Sequence, residues 1–324
     1  MKNILVTGSA GYIGSICTYR LLKNNYNVIA FDNLSTGHIE TIEKLKQFGT
    51  LEFIKGDLKN KEDIEKIFKN KIDAVIHFAS YSQVGEGEIN PIKYYENNIV
   101  GAINLFQGMI KNNVKKIVFS SSAAIYGNVE KVPIDENQPK NPVCVYGRTK
   151  LMIENILSDL FRTNGIKSAA LRYFNVCGAS KDFLFGEWHE PETHLIPNVL
   201  NNNNLKIFGN DYNTKDGTCI RDYIDVEDLV EAHILACKYL ENNENSIQVN
   251  LGTENGNSIF DIIKLCEEEM GVKINYEILD RRLGDAPILT ASNKKARKLL
   301  NWTPQRSLKD SIHCAFEYKK QTKN

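Results

Sequence analysis

Ile4-Leu5-Val6-Thr7-Gly8-Ser9-Ala10-Gly11-Tyr12-Ile13-Gly14 opens this 324-residue chain. Its first three residues form an apolar run that predicts a buried strand. The segment after it carries Ile13, Cys17 and Leu21 at four-residue intervals, the repeat of a helix. Between strand and helix, Gly8, Gly11 and Gly14 let the backbone bend tightly and approach a ligand closely. A helix N-terminus adds outward-facing amides and a favourable dipole, so this turn suits a pyrophosphate. The spacing G-x-x-G-x-x-G is one residue longer than the usual dinucleotide fingerprint. Three glycines alone often make only a turn; their place directly after a first strand gives them weight.

Further along, Val28–Phe31, Leu51–Ile54, Ala74–Ile76, Ile117–Phe119 and Ala169–Leu171 repeat the short apolar run, separated by helix-length segments. Strand and helix in alternation predict an α/β fold, a doubly wound parallel (Rossmann) sheet with right-handed crossovers. After Asn175 the pattern loosens. Residues 178–192 and the run Asn201–Asn204 read as loops, and helical segments are predicted over 225–241, 257–270, 292–300 and 307–320. The expected organisation is a dinucleotide-binding domain over 1–175 and a smaller α/β lobe over 176–324, some segments of which return to the main sheet.

Composition narrows the partners. Forty basic residues balance forty acidic ones, so the chain lacks the basic excess that nucleic-acid binding requires, and a small molecule is the expected partner. The seven cysteines are dispersed without a Cys-x-x-Cys pair and read as reduced, buried thiols. No signal peptide is read, and no apolar run approaches the roughly 20 residues of a membrane span, so no membrane partner and a cytoplasmic location are expected. The six histidines show no metal-ligand spacing; His189 and His194 read as loop residues, and no metal is expected.

Asp32 closes the second strand, 18 residues beyond Gly14. A carboxylate there accepts hydrogen bonds from an adenosine ribose and repels a 2′-phosphate, which favours NAD over NADP. The plainer reading, a strand-end Asp starting a turn with Asn33, comes second once the glycines are counted. Gly56-Asp57-Leu58 is equally a turn or a place near the adenine. Tyr146 and Lys150, four apart, share one helix face. A phenol titrates near ~10, and a neighbouring ammonium is expected to bring it toward neutrality so that it can act as a base. Ser120-Ser121-Ser122 follows the fifth strand, at the edge where doubly wound sheets bind ligands. Ser120 fits a turn; Ser122 fits a substrate hydroxyl.

Taken in order, these motifs resemble the extended short-chain dehydrogenase/reductase family, and within it the NAD-dependent UDP-sugar 4-epimerases. The likeness continues through Tyr94–Asn98, Leu171–Asn175, His194–Pro197, Ile207–Tyr212, Asp216–Thr218, Arg221–Tyr223 and Arg281–Asp285, nearly the whole chain. The resemblance implies that Tyr146 is the base for the sugar 4-hydroxyl, that Lys150 assists it and holds the nicotinamide ribose, and that Ser122 bridges the 4-oxygen to Tyr146. It places Gly8, Gly11, Tyr12, Ile13, Gly14, Asp32, Asn33, Asp57, Leu58, Phe78, Ala79, Asn97, Ser120 and Tyr173 beside NAD. It places Asn175, His194, Leu195, Phe208, Arg221, Tyr223, Arg282, Asp285 and Leu289 around the UDP-hexose. Two arginines suit a diphosphate through forked, charge-assisted bonds; surface ion pairs with Asp222 and Asp285 are the structural alternative. The implied reaction interconverts UDP-glucose and UDP-galactose through a 4-ketose with no net redox change.

Three departures from the family pattern stand out: Ser82 where some relatives carry Lys, Gly87 where Ser is usual, and Asp225 where His is common. The resemblance places Leu289 at a sugar-pocket wall where a large Tyr excludes N-acetyl sugars, so UDP-GlcNAc and UDP-GalNAc are expected as further substrates. A 4,6-dehydratase requires Thr-Asp-Glu where this chain has Ser121-Ser122-Ala123, whereas a uronate 4-epimerase or decarboxylase is compatible with the same residues. A non-catalytic dinucleotide-binding regulator fits the fold but not the intact Ser122, Tyr146 and Lys150. The resemblance also implies a homodimer through helices near 91–112 and 143–163, a pattern equally explained by packing on their own sheet.

Overall fold

The computed structural model describes residues 2–129, 131–201, 205–281 and 286–322. In chain order the strands are β1 (Asn3–Thr7), β2 (Asn27–Asp32), β3 (Leu51–Lys55), β4 (Ala74–His77), β5 (Lys116–Ser122), β6 (Lys167–Tyr173), β7 (Asn175–Cys177), β8 (Leu205–Phe208), β9 (Ile220–Asp225), β10 (Ile247–Leu251), β11 (Gly256–Ser258), β12 (Tyr276–Leu279) and β13 (Ile288–Leu289). Two compact units form. One holds 1–127, 140–172 and 230–249; the other holds 128–139, 173–229 and 250–324. The chain thus passes between the units several times. Among the described residues no helix is long and apolar enough to cross a membrane.

In the first unit the strands line up as β10-β6-β5-β4-β1-β2-β3. β1 pairs in parallel with β2 on one side and with β4 on the other. The winding therefore reverses at β1, and the carboxyl ends of β1 and β4 open the crevice where such sheets bind ligands. The inner strands β1, β2 and β4 are buried almost without break, because helices cover both faces of a parallel sheet. β3, at the edge, is not. One core joins Leu5, Val75, Ile117 and Phe119 to Leu105 and Met109 of the helix Gly101–Lys111 and to Ile153 and Leu157 of the helix Val145–Asn164. The apolar period of the two helices is what selects these faces.

A buried ion pair locks β6 to the helix Val145–Asn164. Arg172 Nε and Nη2 donate to Glu154 Oε1 and Oε2 at 3.0 and 2.6 Å, a forked pair. Ser121 Oγ donates to the same carboxylate at 2.6 Å, and Arg172 Nη1 to the Tyr126 hydroxyl at 2.9 Å. Removing one partner leaves the other charge in the core. Glu154→Ala is expected to lower unfolding free energy by about 3–5 kcal/mol in urea titrations followed by circular dichroism. The double variant Glu154→Leu/Arg172→Leu recovers much of that loss.

In the second unit β11, β9 and β13 form one sheet with β7 also on β9, while β8 pairs with β12. Its core gathers Ile196, Val199, Ile207, Tyr223, Ile262, Cys266 and Ile312. The 128–139 excursion is held there by Asn250, whose Nδ2 donates to Ile134 O at 2.9 Å and whose N–H donates to Glu136 at 2.7 Å. All seven cysteines are buried and unpaired.

Candidate active site

Sterics close the glycine turn upon itself. Gly8 has φ +74°, and a Cβ there would sit 2.7 Å from Ala79 N; a Cβ on Gly14 would sit 2.0 Å from Gly8 O. Gly11 differs, since its added Cβ would meet only Gly8 O, at an ordinary 3.5 Å. Gly11 caps the helix Tyr12–Lys23 with no side-chain hydrogen bond, and the helix ladder starts from Ser15 N–H to Gly11 O. Among the described residues no side chain caps that helix start by a hydrogen bond, and such a backbone turn is of the kind that binds a pyrophosphate. Asp32, at the end of β2, accepts Ala10 N–H at 3.0 Å and Leu34 N–H at 2.8 Å. Burial pushes its carboxyl up and these bonds draw it back. Each oxygen keeps an acceptor site for a ribose hydroxyl. These residues fit NAD.

The neighbouring positions are ordered by the same strand ends. Phe78 N–H donates to Thr7 O at 3.0 Å, and Ala79 N–H reaches Thr7 Oγ1 at 3.5 Å. Asn33 Nδ2 donates to Asp57 at 3.3 Å, Leu58 is buried, and Tyr12 and Ile13 are the first helical residues. Asn97 Nδ2 donates to Asn98 Oδ1 at 3.0 Å within a π-helical turn, Tyr95–Val100. Asn98 escaped the sequence reading as an organiser. It is buried, brackets Tyr81 through both backbone groups (2.9 and 3.1 Å) and donates to Thr149 Oγ1 at 3.1 Å, tying this turn to the helix that carries Tyr146. A widened turn is where a buried Asn finds room to do this. Tyr173 is buried and falls in the second unit.

The catalytic candidates converge at the carboxyl end of β5. Ser122 ends that strand and accepts Ala124 N–H at 3.1 Å, making a short turn. Against it packs the start of the helix Val145–Asn164, with Gly147 so close that a Cβ would stand 2.4 Å from Ala124 O. That approach brings Tyr146 into hydrogen bond with Ser122. Lys150 Nζ donates to Ser120 O at 2.7 Å and lies 5.0 and 5.5 Å from the Phe119 and Tyr146 ring centres. Sequence reasoning expected the ammonium to lower the phenol. In the chain by itself burial prevails for both: Tyr146 is pushed up to about 12, relieved in part by Ser122, and Lys150 is pushed down to about 7. Desolvation penalises whichever form carries charge, and Lys150 spends its bond on a carbonyl rather than on the phenol oxygen. His77 was also missed. Fully buried and pushed down to about 3 by burial and by Lys150, it stays neutral and binds Thr7 Oγ1 at 2.7 Å, joining the ends of β1 and β4. A histidine ending an apolar strand is the signal for it.

The second unit assembles part of the predicted sugar-nucleotide set on one sheet face. Asn175 of β7 is the register partner of Tyr223 in β9, and Leu289 of β13 is the partner of Arg221. Residues 221 and 223 are two apart on one strand, so all four share a face. Tyr223 is hydrogen-bonded to Asn175 and pushed up to about 12 by burial. Arg221 Nη1 donates to Ile220 O and Ala286 O at 3.0 and 2.8 Å. Asp222 points to the other face, where it accepts from Thr253, Glu254 and Ala291. His194 and Leu195 stand at the start of the helix Leu195–Leu200, and Phe208 ends β8. Arg282 and Asp285 lie outside the described residues, as do 202–204 of the Asn run. Asp225, unusual for the family pattern, is a buried anion 3.0 Å from Arg306 Nε that accepts Ser311 Oγ at 2.6 Å.

A dinucleotide cradle beside a hydroxyl, phenol and ammonium set defines a class of NAD-dependent enzyme built on a Rossmann-like sheet. Residues 4–252 match the NAD dependent epimerase/dehydratase family. A UDP-glucose 4-epimerase of Lactobacillus helveticus is 45% identical over 98% of this chain and 97% of its own. Among solved structures, the UDP-glucose 4-epimerase of Bifidobacterium longum in complex with NAD+ and UDP is 35% identical, with TM-score 0.95 over 100% of this chain and 99% of that one. The UDP-Glc/GlcNAc 4-epimerase of Campylobacter jejuni is 38% identical, with TM-score 0.87 over 99% and 100%. The chain belongs to the NAD dependent epimerase/dehydratase family, as an enzyme of the epimerase class with NAD as its cofactor.

Proposed function

We propose that this enzyme interconverts UDP-glucose and UDP-galactose by inverting the sugar 4-hydroxyl through a 4-ketose. The observation that carries the reading is Tyr146, hydrogen-bonded to Ser122 and faced by Lys150 at the carboxyl end of β5. NAD, when bound, would supply a reversible hydride acceptor, with no net oxidation. Tyr146 takes the 4-hydroxyl proton as the C4–H bond breaks and returns it once the ketose has turned its other face. Ser122 holds the 4-oxygen, and Lys150 binds the cofactor's ribose while steadying the phenolate. Asn175, Arg221, Tyr223 and Leu289, together with His194, Leu195 and Phe208, contact the UDP-hexose in this proposal. The two relatives named for UDP or UDP-sugars support this. The purified enzyme, given UDP-glucose and no added NAD, is expected to form UDP-galactose; no interconversion even with NAD supplied would overturn the reading.

Leucine at 289 is smaller than tyrosine, and the Campylobacter relative is named for both Glc and GlcNAc sugars. N-acetylated UDP-sugars are therefore substrates in this proposal. Leu289→Tyr is expected to cut UDP-GlcNAc turnover relative to UDP-glucose by at least about tenfold, the scale of a pocket-wall change. An unchanged ratio of the two rates would refute the breadth.

The working form is a homodimer in this proposal. Val100, Ile103, Ile110 and Met152 stand exposed along two neighbouring helical stretches, an apolar surface that a partner helix pair would cover. Light scattering on the eluting protein is expected to give twice the chain mass, and Ile103→Glu/Met152→Glu to halve it. Buried, unpaired cysteines fit a reducing cytoplasm.

A further inference from the structure

Between β7 and the helix Leu195–Leu200, one eight-residue stretch brings two imidazoles and two carboxylates around a point. Glu187, His189, Glu192 and His194 each offer one ligand atom, and these atoms lie within 4.8 Å of one another. His189 Nδ1 is 3.2 Å from Glu187 Oε1 and 3.8 Å from Glu192 Oε2. His194 Nδ1 turns to the same Glu187 oxygen, and the two rings meet edge-on with centres 5.4 Å apart. The spacing Glu-x-His-x-x-Glu-x-His was not legible as a ligand pattern. It becomes one because the loop folds back upon itself.

The carboxylates are nearly out of water, the Glu187 side chain 6% and the Glu192 side chain 12% exposed. A carboxylate so placed requires a cation. In the chain alone the His189 and His194 rings take that place against Glu187. Glu192 is oriented by its own backbone, its Oε1 accepting the N–H groups of Thr193 and His194 at 2.8 Å each, which leaves Oε2 toward His189. A ligand carboxylate fixed by further hydrogen bonds is a regular feature of metal sites.

We propose that Glu187, His189, Glu192 and His194 bind one divalent transition-metal ion, with Zn²⁺ the preferred occupant. Two imidazole nitrogens exclude the oxygen-only preference of Mg²⁺ and Ca²⁺, and two carboxylates neutralise the ion. Tetrahedral Zn²⁺ at ~2.0–2.1 Å from each ligand sets ligand–ligand edges near 3.4 Å, which the present spacing reaches by small side-chain rotations. The ion pins His194, the residue directly before Leu195. Its effect on substrate affinity rests on the UDP reading above; the binding itself does not.

The test uses the purified full-length enzyme, stripped with a chelator and dialysed, with no sugar present. Zn²⁺ is titrated against a chromophoric chelator and Co²⁺ is followed by its d–d absorption. One equivalent of Zn²⁺ per chain, a rise in thermal midpoint at 1:1 ratio, and a tetrahedral Co²⁺ spectrum are expected. Glu187→Gln and His189→Ala should each weaken Zn²⁺ binding at least about tenfold. His313→Ala/Glu317→Gln, which dismantles the separate cluster of Glu269, His313 and Glu317, should leave it unchanged. Substoichiometric Zn²⁺, an octahedral oxygen-type Co²⁺ spectrum in the unmutated enzyme, or loss of binding only in the His313 variant would each overturn the proposal.

Discussion

Tyr146→Phe is expected to lower kcat by about 10²–10⁴-fold, the usual contribution of a positioned acid–base group, with little change in KM. The substitution removes one oxygen and keeps the ring that Lys150 faces, so the fold and bound NAD survive. What goes is the group that carries the proton of the 4-hydroxyl in the proposed reaction. With its phenol pushed up to about 12, Tyr146 in the isolated chain is an acid waiting for charge to be brought beside it. Steady-state rates on UDP-glucose, with NAD content measured by absorbance on the same sample, check this. Near-normal turnover in Tyr146→Phe would end its assignment as the base.

Gly14→Ala is expected to abolish NAD retention and, with it, activity, because the new methyl must occupy space 2.0 Å from Gly8 O and 2.8 Å from Gly8 C. Both are backbone atoms of the turn, so relief requires the cradle itself to move, at about 1–3 kcal/mol of stability. Gly11→Ala separates the two causes. Its methyl meets nothing in the protein closer than 3.5 Å, so the variant folds with a thermal midpoint near that of the parent. It faces the open side of the turn, however, and loses NAD affinity by obstructing the ligand. A Gly11→Ala enzyme that keeps full NAD occupancy would show that the pyrophosphate does not lie over this residue.

Much of the first unit was legible in the chain because its signals are local. An apolar run, a glycine turn and a four-residue helical repeat occupy neighbouring positions, and β1, β2, β4 and β5 form where those runs stand. Tyr146 and Lys150 are one helical turn apart, so their shared face follows from the helix alone. The position of Ser122 at the end of β5 follows from the apolar run before it.

Other features are decided by contacts far apart in sequence. Short strands such as β7, β11 and β13 carry two or three residues each and have no periodicity to detect; they form because β9 supplies their hydrogen bonds. The pairing of Asn175 with Tyr223 and of Leu289 with Arg221 is a register, which belongs to the assembled sheet. The strong shifts of Tyr146, Lys150 and His77 come from burial, and burial exists only once the sheet and helices have closed over them. Sequence by itself determined which residues the chemistry has at its disposal. Tertiary structure decided which of them are dry, which are paired and which point at one another, since desolvation and distance are properties of the packed chain and not of its order.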